Sequence, residues 1–84
     1  MQITINVAAY PSESLRKLAY ALASAGPEMQ HRKDRMITYR QLLSVTTELE
    51  NRANGGDTSE LRDMIAHWAR SASFPLVRHG SEIG

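Results

Sequence analysis

The clearest pattern of apolar and polar positions in this chain runs from residue 38 to residue 54. Apolar residues recur there at the three- and four-residue spacing of a helix with one buried face. The stripe consists of Leu42, Val45, Thr46, Leu49 and Ala53, with Leu43 widening it. Thr38 followed by Gln41 has the spacing of a capping box, and Gly55-Gly56 supplies a residue suited to the left-handed end of a helix. The pattern therefore predicts a helix over 38–54.

Two further stretches show helical spacing. The first is predicted to begin near Ser12, directly after Pro11, and to end at Gly26-Pro27. Its apolar positions are Leu15, Leu18, Ala19, Leu22 and Ala25. The other is predicted to begin at Asp57, with Glu60 completing a capping box. Its apolar positions are Leu61, Met64, Ile65, Trp68, Ala69 and Ala72. The short connection before Asp57 predicts that the last two helices pack as an antiparallel hairpin.

Residues 2–7 alternate between polar and apolar side chains instead. Ile3, Ile5 and Val7 share one side, which is typical of a strand with one buried face. A lone strand needs a partner for its backbone groups. The candidates are residues 35–37, residues 74–78, or the same strand of a second copy, which would form a homodimer. The predicted fold class is therefore α+β and mostly helical: one N-terminal β-strand followed by three α-helices, the last two a helical hairpin.

Length and composition limit the classes of function. With 84 residues the chain is expected to be a single small domain, 1–84, of which 79–84 form a flexible tail. It contains no cysteine, which excludes a disulfide scaffold and thiol catalysis. No apolar run approaches the roughly 18 residues of a membrane span, so no membrane partner is expected and the expected location is cytoplasmic.

No motif for catalysis or cofactor binding stands out. The chain has no strand–turn–helix nucleophile motif and no Gly-rich phosphate loop, and so short a chain has little room for a pocket. Only Asp63 and His67 have the one-turn spacing of two ligands on a helix, whereas zinc needs three or four. The sequence therefore predicts a protein that is not an enzyme, with no cofactor and no metal site. The single Trp68 lies in an apolar stripe, and it is interpreted as core, with a binding anchor as the alternative.

The most polar region lies between the first two predicted helices, over residues 26–37. No apolar stripe runs through it, so it is predicted to be a long loop, with a short strand or a helical turn inside it as the alternative. Between His31 and Arg40 four cations lie against the single carboxylate of Asp34: Arg32, Lys33, Arg35 and Arg40. A charged loop on a rigid scaffold is a common way to engage a partner. These four residues are therefore the predicted partner-binding site, for an acidic protein surface or for nucleic-acid phosphate. The alternative is a solvated surface with no partner.

The N-terminal residues carry a family resemblance. Gln2, Thr4 and Asn6 alternate along the predicted strand, and an amphipathic helix and a second helix follow. This arrangement, about 50 residues long, resembles ribbon-helix-helix repressors. The resemblance implies that two chains pair their strands and that these three polar side chains read base edges in the major groove of DNA. The chain differs from that family in the dozen or so residues between its first two helices and in its third helix.

Two functions follow as hypotheses. The first is a small non-catalytic binding or regulatory protein that acts by occupying a macromolecular partner, as phage- and plasmid-encoded inhibitors do. The alternative is a dimeric DNA-binding transcriptional repressor of the ribbon-helix-helix type. They differ in oligomeric state, because ribbon pairing requires two copies.

Overall fold

A computed structural model describes residues 6–74 of the chain. This range contains three α-helices: α1, Ser12–Ala25; α2, Arg32–Asn51; and α3, Ser59–Ala72. Short 3₁₀ turns precede and follow α1, at Val7–Ala9 and Gly26–Glu28. The three predicted helices are therefore present, and the boundaries of α1 lie where Pro11 and Gly26 placed them.

Contacts between the helices show how they run. Arg32, at the start of α2, donates a hydrogen bond to the carbonyl of Ala72 at the end of α3. At the other end of the pair, Arg62 of α3 forms an ion pair with Glu50 of α2. The two helices are therefore antiparallel. Because Arg16 near the start of α1 reaches the loop that connects them, α1 runs antiparallel to α2 as well.

The core lies between the three helices and is built from their apolar stripes. Its aliphatic part is Leu15, Ala19 and Ala23 of α1, Leu42, Val45 and Leu49 of α2, and Leu61, Ile65 and Ala69 of α3. Its aromatic part is a cluster in which Tyr39 packs edge-to-face on Trp68, with ring centroids 5.3 Å apart. Phe74 closes the cluster, 5.0 Å from the Tyr39 ring centroid. Burial raises the pKa of the Tyr39 hydroxyl. The interpretation of Trp68 as a core residue is confirmed, since it is only 3% exposed.

The predicted α+β fold class is wrong for the part of the chain that the structure describes. Residues 6–74 are helices, turns and connections, with no β-strand among them. Most of the predicted strand, residues 2–5, lies outside the described residues. Val7 lies inside them and is in a 3₁₀ turn, because the Asn6 carbonyl accepts a hydrogen bond from the Ala9 N–H and the Val7 carbonyl accepts one from the Tyr10 N–H.

The side chain of Arg52 fixes this N-terminal turn against the end of α2. Its guanidinium donates to the carbonyl of Tyr10 at 2.6 Å and to the carbonyl of Val7 at 3.1 Å. It also donates to the carboxylate of Glu48 at 3.0 Å. The Val7 carbonyl thus accepts two hydrogen bonds, from Arg52 and from the Tyr10 N–H, so both of its lone pairs are used and it is not available for pairing with a strand.

Helix α2 begins six residues earlier than the sequence pattern predicts. The first backbone hydrogen bond runs from the Arg35 N–H to the His31 carbonyl, and the helix ends at Asn51 rather than at residue 54. Its first turns carry no wide apolar stripe because they lie at the surface, where Met36 and Ile37 are the only half-buried apolar residues. The predicted capping role of Thr38 is therefore wrong. Thr38 lies inside the helix, and its hydroxyl is 3.3 Å from the Met29 sulfur.

This position gives an expected result for Thr38→Val. Replacing an N-cap threonine costs about 1 kcal/mol, whereas a buried hydroxyl that donates only to a thioether contributes little. We expect Thr38→Val to change the free energy of unfolding by less than about 0.5 kcal/mol in urea titrations. A loss of about 1 kcal/mol or more would show that the hydroxyl matters more to folding than its position in the helix implies.

The start of α3 lies close to the predicted cap. Asp57 does not occupy the N-cap position, which belongs to Thr58, but its carboxylate accepts hydrogen bonds from the Ser59 hydroxyl at 2.7 Å and from the Ser59 N–H at 3.0 Å. These bonds favour the charged form and lower the pKa of Asp57 below its ordinary value of 3.8. The carboxylate therefore still satisfies an N–H at the start of the helix.

The lowered pKa of Asp57 has a consequence for stability in acid. A depressed pKa in the folded state stabilises the fold above the ordinary pKa, and this contribution is lost as the pH falls through the folded-state value. Between about pH 5 and about pH 2, Asp57→Asn should therefore lose less stability than the parent chain. Asp63→Asn, which removes an exposed carboxylate within α3, is the control. Parallel pH curves for the parent and Asp57→Asn would contradict the assignment.

Candidate partner-binding surface on the second helix

The four predicted partner-binding cations lie on a helix and not in a loop. Arg32, Lys33, Arg35 and Arg40 all belong to α2, and the long loop predicted over 26–37 is wrong. Instead, a 3₁₀ turn and residues 29–31 lead directly into α2. The helix fixes the spacing of these side chains, so the structure separates them by what each one contacts.

Two of the four cations hold the fold together. Arg32 donates to the Ala72 carbonyl at 3.1 Å, and its guanidinium lies 5.0 Å from the centroid of the Phe74 ring. Arg35 donates to the carbonyls of Met29 and Gln30, at 2.7 and 2.9 Å. Reversing either charge would disturb these contacts as well as the surface potential, so neither position isolates a role in binding.

The other two cations, Lys33 and Arg40, are exposed. Within residues 6–74 neither side chain makes a hydrogen bond or an ion pair. Their separation of seven residues puts them on one face of α2, about 10 Å apart along its axis. Ile37 lies between them, four residues after Lys33 and three before Arg40, and it is half-buried. This face therefore presents two cations with an apolar side chain between them.

An open groove of about 490 Å³ adjoins this face. Its apolar lining comes from three segments: Leu22 of α1, Met29 of the connection and Ile37 of α2. Met29 is one of the large apolar side chains most exposed in the described range, at 37%. The polar lining is Gln30, His31, Asp34, Thr38 and Gln41. The groove thus combines an apolar floor, formed by Leu22, Met29 and Ile37, with polar side chains around it. Lys33 and Arg40 do not line the groove; they flank Ile37 on the adjoining face of α2.

A second groove, of about 470 Å³, lies at the opposite end of α1. Its cation is Arg16, whose guanidinium donates to the carbonyls of Gly55 and Asp57, both at 2.8 Å. The same guanidinium packs against Gly56, whose φ of 83° is in the left-handed region. Arg16 is used in holding the loop between α2 and α3, and Glu13, the other charged residue of the lining, pairs with Lys17 at 3.8 Å. Both charged side chains of this groove therefore already have partners within the chain.

The remaining predicted site residues are not brought together. Gln2 and Thr4, predicted to read DNA bases, lie outside the described residues. Asn6 is exposed at the start of the first 3₁₀ turn. No group of three or more histidine or acidic side chains within residues 6–74 is arranged to hold a metal ion. No sequence pattern marks Leu22 and Met29 as surface groove residues, since Leu22 belongs to a core stripe and Met29 to no stripe.

Comparisons with protein-family models, with curated proteins and with solved structures found no match to this chain. Among the helices of residues 6–74, none combines the length and the apolar character needed to span a membrane. The surface of α2 is therefore the feature of the molecule from which a function can be inferred.

Proposed function

We propose that this chain is a small non-catalytic binding protein that acts by occupying a macromolecular partner through the exposed face of α2. The observation that carries the proposal is the pair Lys33 and Arg40, two exposed cations on one helix face that no described side chain neutralises. We propose that this binding serves a regulatory or inhibitory role, of the kind that phage and plasmid proteins perform.

The helix makes this pair suitable for recognition. Backbone hydrogen bonds within α2 and its buried face against the core fix where both side chains start, so binding orders only the side chains themselves. Exposed charges mainly steer a partner of opposite charge and accelerate association. The charges of Arg32 and Arg35 add to this potential although their N–H groups are already bonded within the chain.

A protein partner with an acidic surface fits better than nucleic acid. The whole chain carries a net charge of only +1, whereas proteins that bind nucleic acid through phosphates usually present a larger basic surface. Two exposed cations neutralise few phosphates, so they supply little non-specific affinity for DNA. The dimeric repressor remains a prediction that depends on Gln2, Thr4 and Asn6, of which the first two lie outside the described range.

Comparative capture from an extract of the cells that encode the protein tests the proposal. The full chain would be immobilised as the parent, as Lys33→Glu/Arg40→Glu, and as the control Lys17→Glu/Arg70→Glu. Both control positions are exposed and lie on α1 and α3, so the control changes the net charge equally at other sites. We expect a macromolecule that the parent and the control retain and that the α2 variant retains about tenfold less.

Two results would overturn the proposal. If all three proteins retain the macromolecule equally, the α2 cations do not take part in binding. If both variants retain it equally poorly, the effect comes from net charge and not from the position of the cations. Nuclease treatment of the bound fraction distinguishes the partner classes, since loss of the captured material would identify nucleic acid and favour the repressor hypothesis.

A further inference from the structure

We infer that the groove beside Lys33 and Arg40 receives an acidic, amphipathic helical segment of the partner protein, whose apolar side chains fill the floor while its carboxylates pair with the two cations. The inference rests on the proposed function and names the partner's chemistry. A binding surface that combines an apolar groove with charged edges is typical of helix-in-groove recognition.

The floor is suited to apolar side chains of varied shape. Leu22 and Ile37 are half-buried, and Met29 leaves 37% of its surface exposed. Methionine is unbranched and polarizable, so it adapts to irregular apolar partners. Covering this floor would remove apolar surface from water, which is the main favourable term in association.

The connection that contributes Met29 and Gln30 to the groove is held in place before any partner binds. Arg35 donates to the carbonyls of Met29 and Gln30, which fixes the connection against α2. The Thr38 hydroxyl lies 3.3 Å from the Met29 sulfur, on the side of α2 that faces the groove. A segment that is already ordered loses less conformational entropy on binding than a mobile one.

The spacing of Lys33 and Arg40 predicts the spacing of the carboxylates on the occupant. Lys33 and Arg40 are about 10 Å apart along α2, and a helical ligand places carboxylates at positions i and i+7 at the same spacing. Apolar residues at i+3 and i+4 of that ligand then lie over Ile37 and the floor. The guanidinium of Arg40 can hold a carboxylate through two parallel hydrogen bonds. Phosphate groups alone would leave the apolar floor unused, which favours an acidic peptide over a nucleic acid.

Asp34 provides a test of the charge pairing with the opposite sign. This carboxylate lines the groove and is exposed, so it repels an acidic occupant. Asp34→Asn should therefore tighten binding of an acidic peptide, while Lys33→Gln/Arg40→Gln should weaken it. Opposite effects from neutralising opposite charges at one groove are specific to electrostatic pairing there.

Titration of the full chain with synthetic peptides, followed by backbone amide NMR shifts, tests the inference. The probe is a helical peptide of about four turns with Glu at i and i+7 and Leu at i+3 and i+4. One matched peptide carries Gln in place of Glu, and the other carries Ala in place of Leu. We expect shifts over residues 29–41 and at Leu22, with a Kd about tenfold lower for the probe than for either matched peptide. Ile37→Ala and Met29→Ala should each raise the Kd for the probe several-fold, and thermal melts of these variants establish that they are folded.

Several outcomes would overturn the inference. If the Gln peptide binds as tightly as the probe, the carboxylates do not pair with Lys33 and Arg40. If the Ala peptide binds as tightly as the probe, the surface binds anions through charge alone and the apolar floor is not used. A dimer by light scattering in which the second copy covers the groove, or NMR contacts from the methyls of Leu76 or Val77 to Ile37, would assign the groove to the protein itself. If Ile37→Ala and Met29→Ala retain the cellular partner while Lys33→Glu/Arg40→Glu loses it, the groove inference fails and the proposed function stands.

Discussion

Replacing Trp68 by alanine is expected to lower the free energy of unfolding by about 3–5 kcal/mol. The indole is 3% exposed and packs edge-to-face on Tyr39 and against Phe74, at centroid distances of 5.3 and 6.0 Å. It also packs tightly against Gly26, where an added Cβ would collide with the ring. Alanine would remove this burial and leave a cavity between the ends of all three helices. Small domains are stable by only about 5–15 kcal/mol, so urea titration should find the variant close to unfolding.

Trp68→Phe is the matched control. It keeps an aromatic ring in the cluster and removes an indole N–H that is buried without a hydrogen-bond partner within the described range. We expect its cost to be about 1–2 kcal/mol, because part of the lost burial is offset by the removal of an unsatisfied donor. A cost below about 1 kcal/mol for Trp68→Ala would contradict the core assignment and return Trp68 to the alternative role of a binding anchor.

The second large effect is expected at Arg52, where alanine should cost about 2–4 kcal/mol. The guanidinium side chain is only 18% exposed, and it donates to the carboxylate of Glu48 and to the carbonyls of Val7 and Tyr10. Hydrogen bonds to charged groups contribute more than neutral ones, and here several depend on one side chain. Its removal should also release the turn at Val7–Ala9 from α2, which hydrogen exchange would detect as faster exchange there.

Arg62→Ala provides the comparison for Arg52. Arg62 contacts Glu50 through two hydrogen bonds of 2.7 Å, and these bonds raise the pKa of Arg62. The side chains of this pair are 40% and 33% exposed, so water screens the interaction. We expect a cost of about 0–1 kcal/mol by urea titration. Equal losses for Arg52→Ala and Arg62→Ala would show that the network around Arg52 adds nothing beyond an exposed ion pair.

The sequence predicted what depends on long periodic stripes and missed what depends on contacts distant in the chain. Helices α1 and α3 each carry a stripe from end to end, so their presence and buried faces could be predicted. The first turns of α2 carry only Met36 and Ile37 as half-buried apolar residues, and so polar a pattern favours a loop over a helix. The alternation over residues 2–7 is short, and the turn at Val7 depends on Arg52, 45 residues further along the chain.

For the candidate site, too, the sequence predicts local features and misses those that depend on contacts distant in the chain. A local excess of cations could be predicted from composition, but not which of them are free. Arg32 is engaged because Ala72 and Phe74, about 40 residues away, end beside it in the fold. The groove was not predictable either, since Leu22, Met29 and Ile37 come from three segments that only the packing of α1 on α2 brings together.

The most direct test of the account is the association rate constant between the captured partner and the full chain, measured with Lys33→Glu/Arg40→Glu against Lys17→Glu/Arg70→Glu. At about 50 mM salt we expect the α2 variant to associate about tenfold more slowly than the parent, and the control to differ from the parent by less than about threefold. At about 500 mM salt the difference between the variants should largely disappear, because salt screens exposed charges. Equal rate constants for the two variants at low salt would contradict the claim that the exposed face of α2 binds the partner.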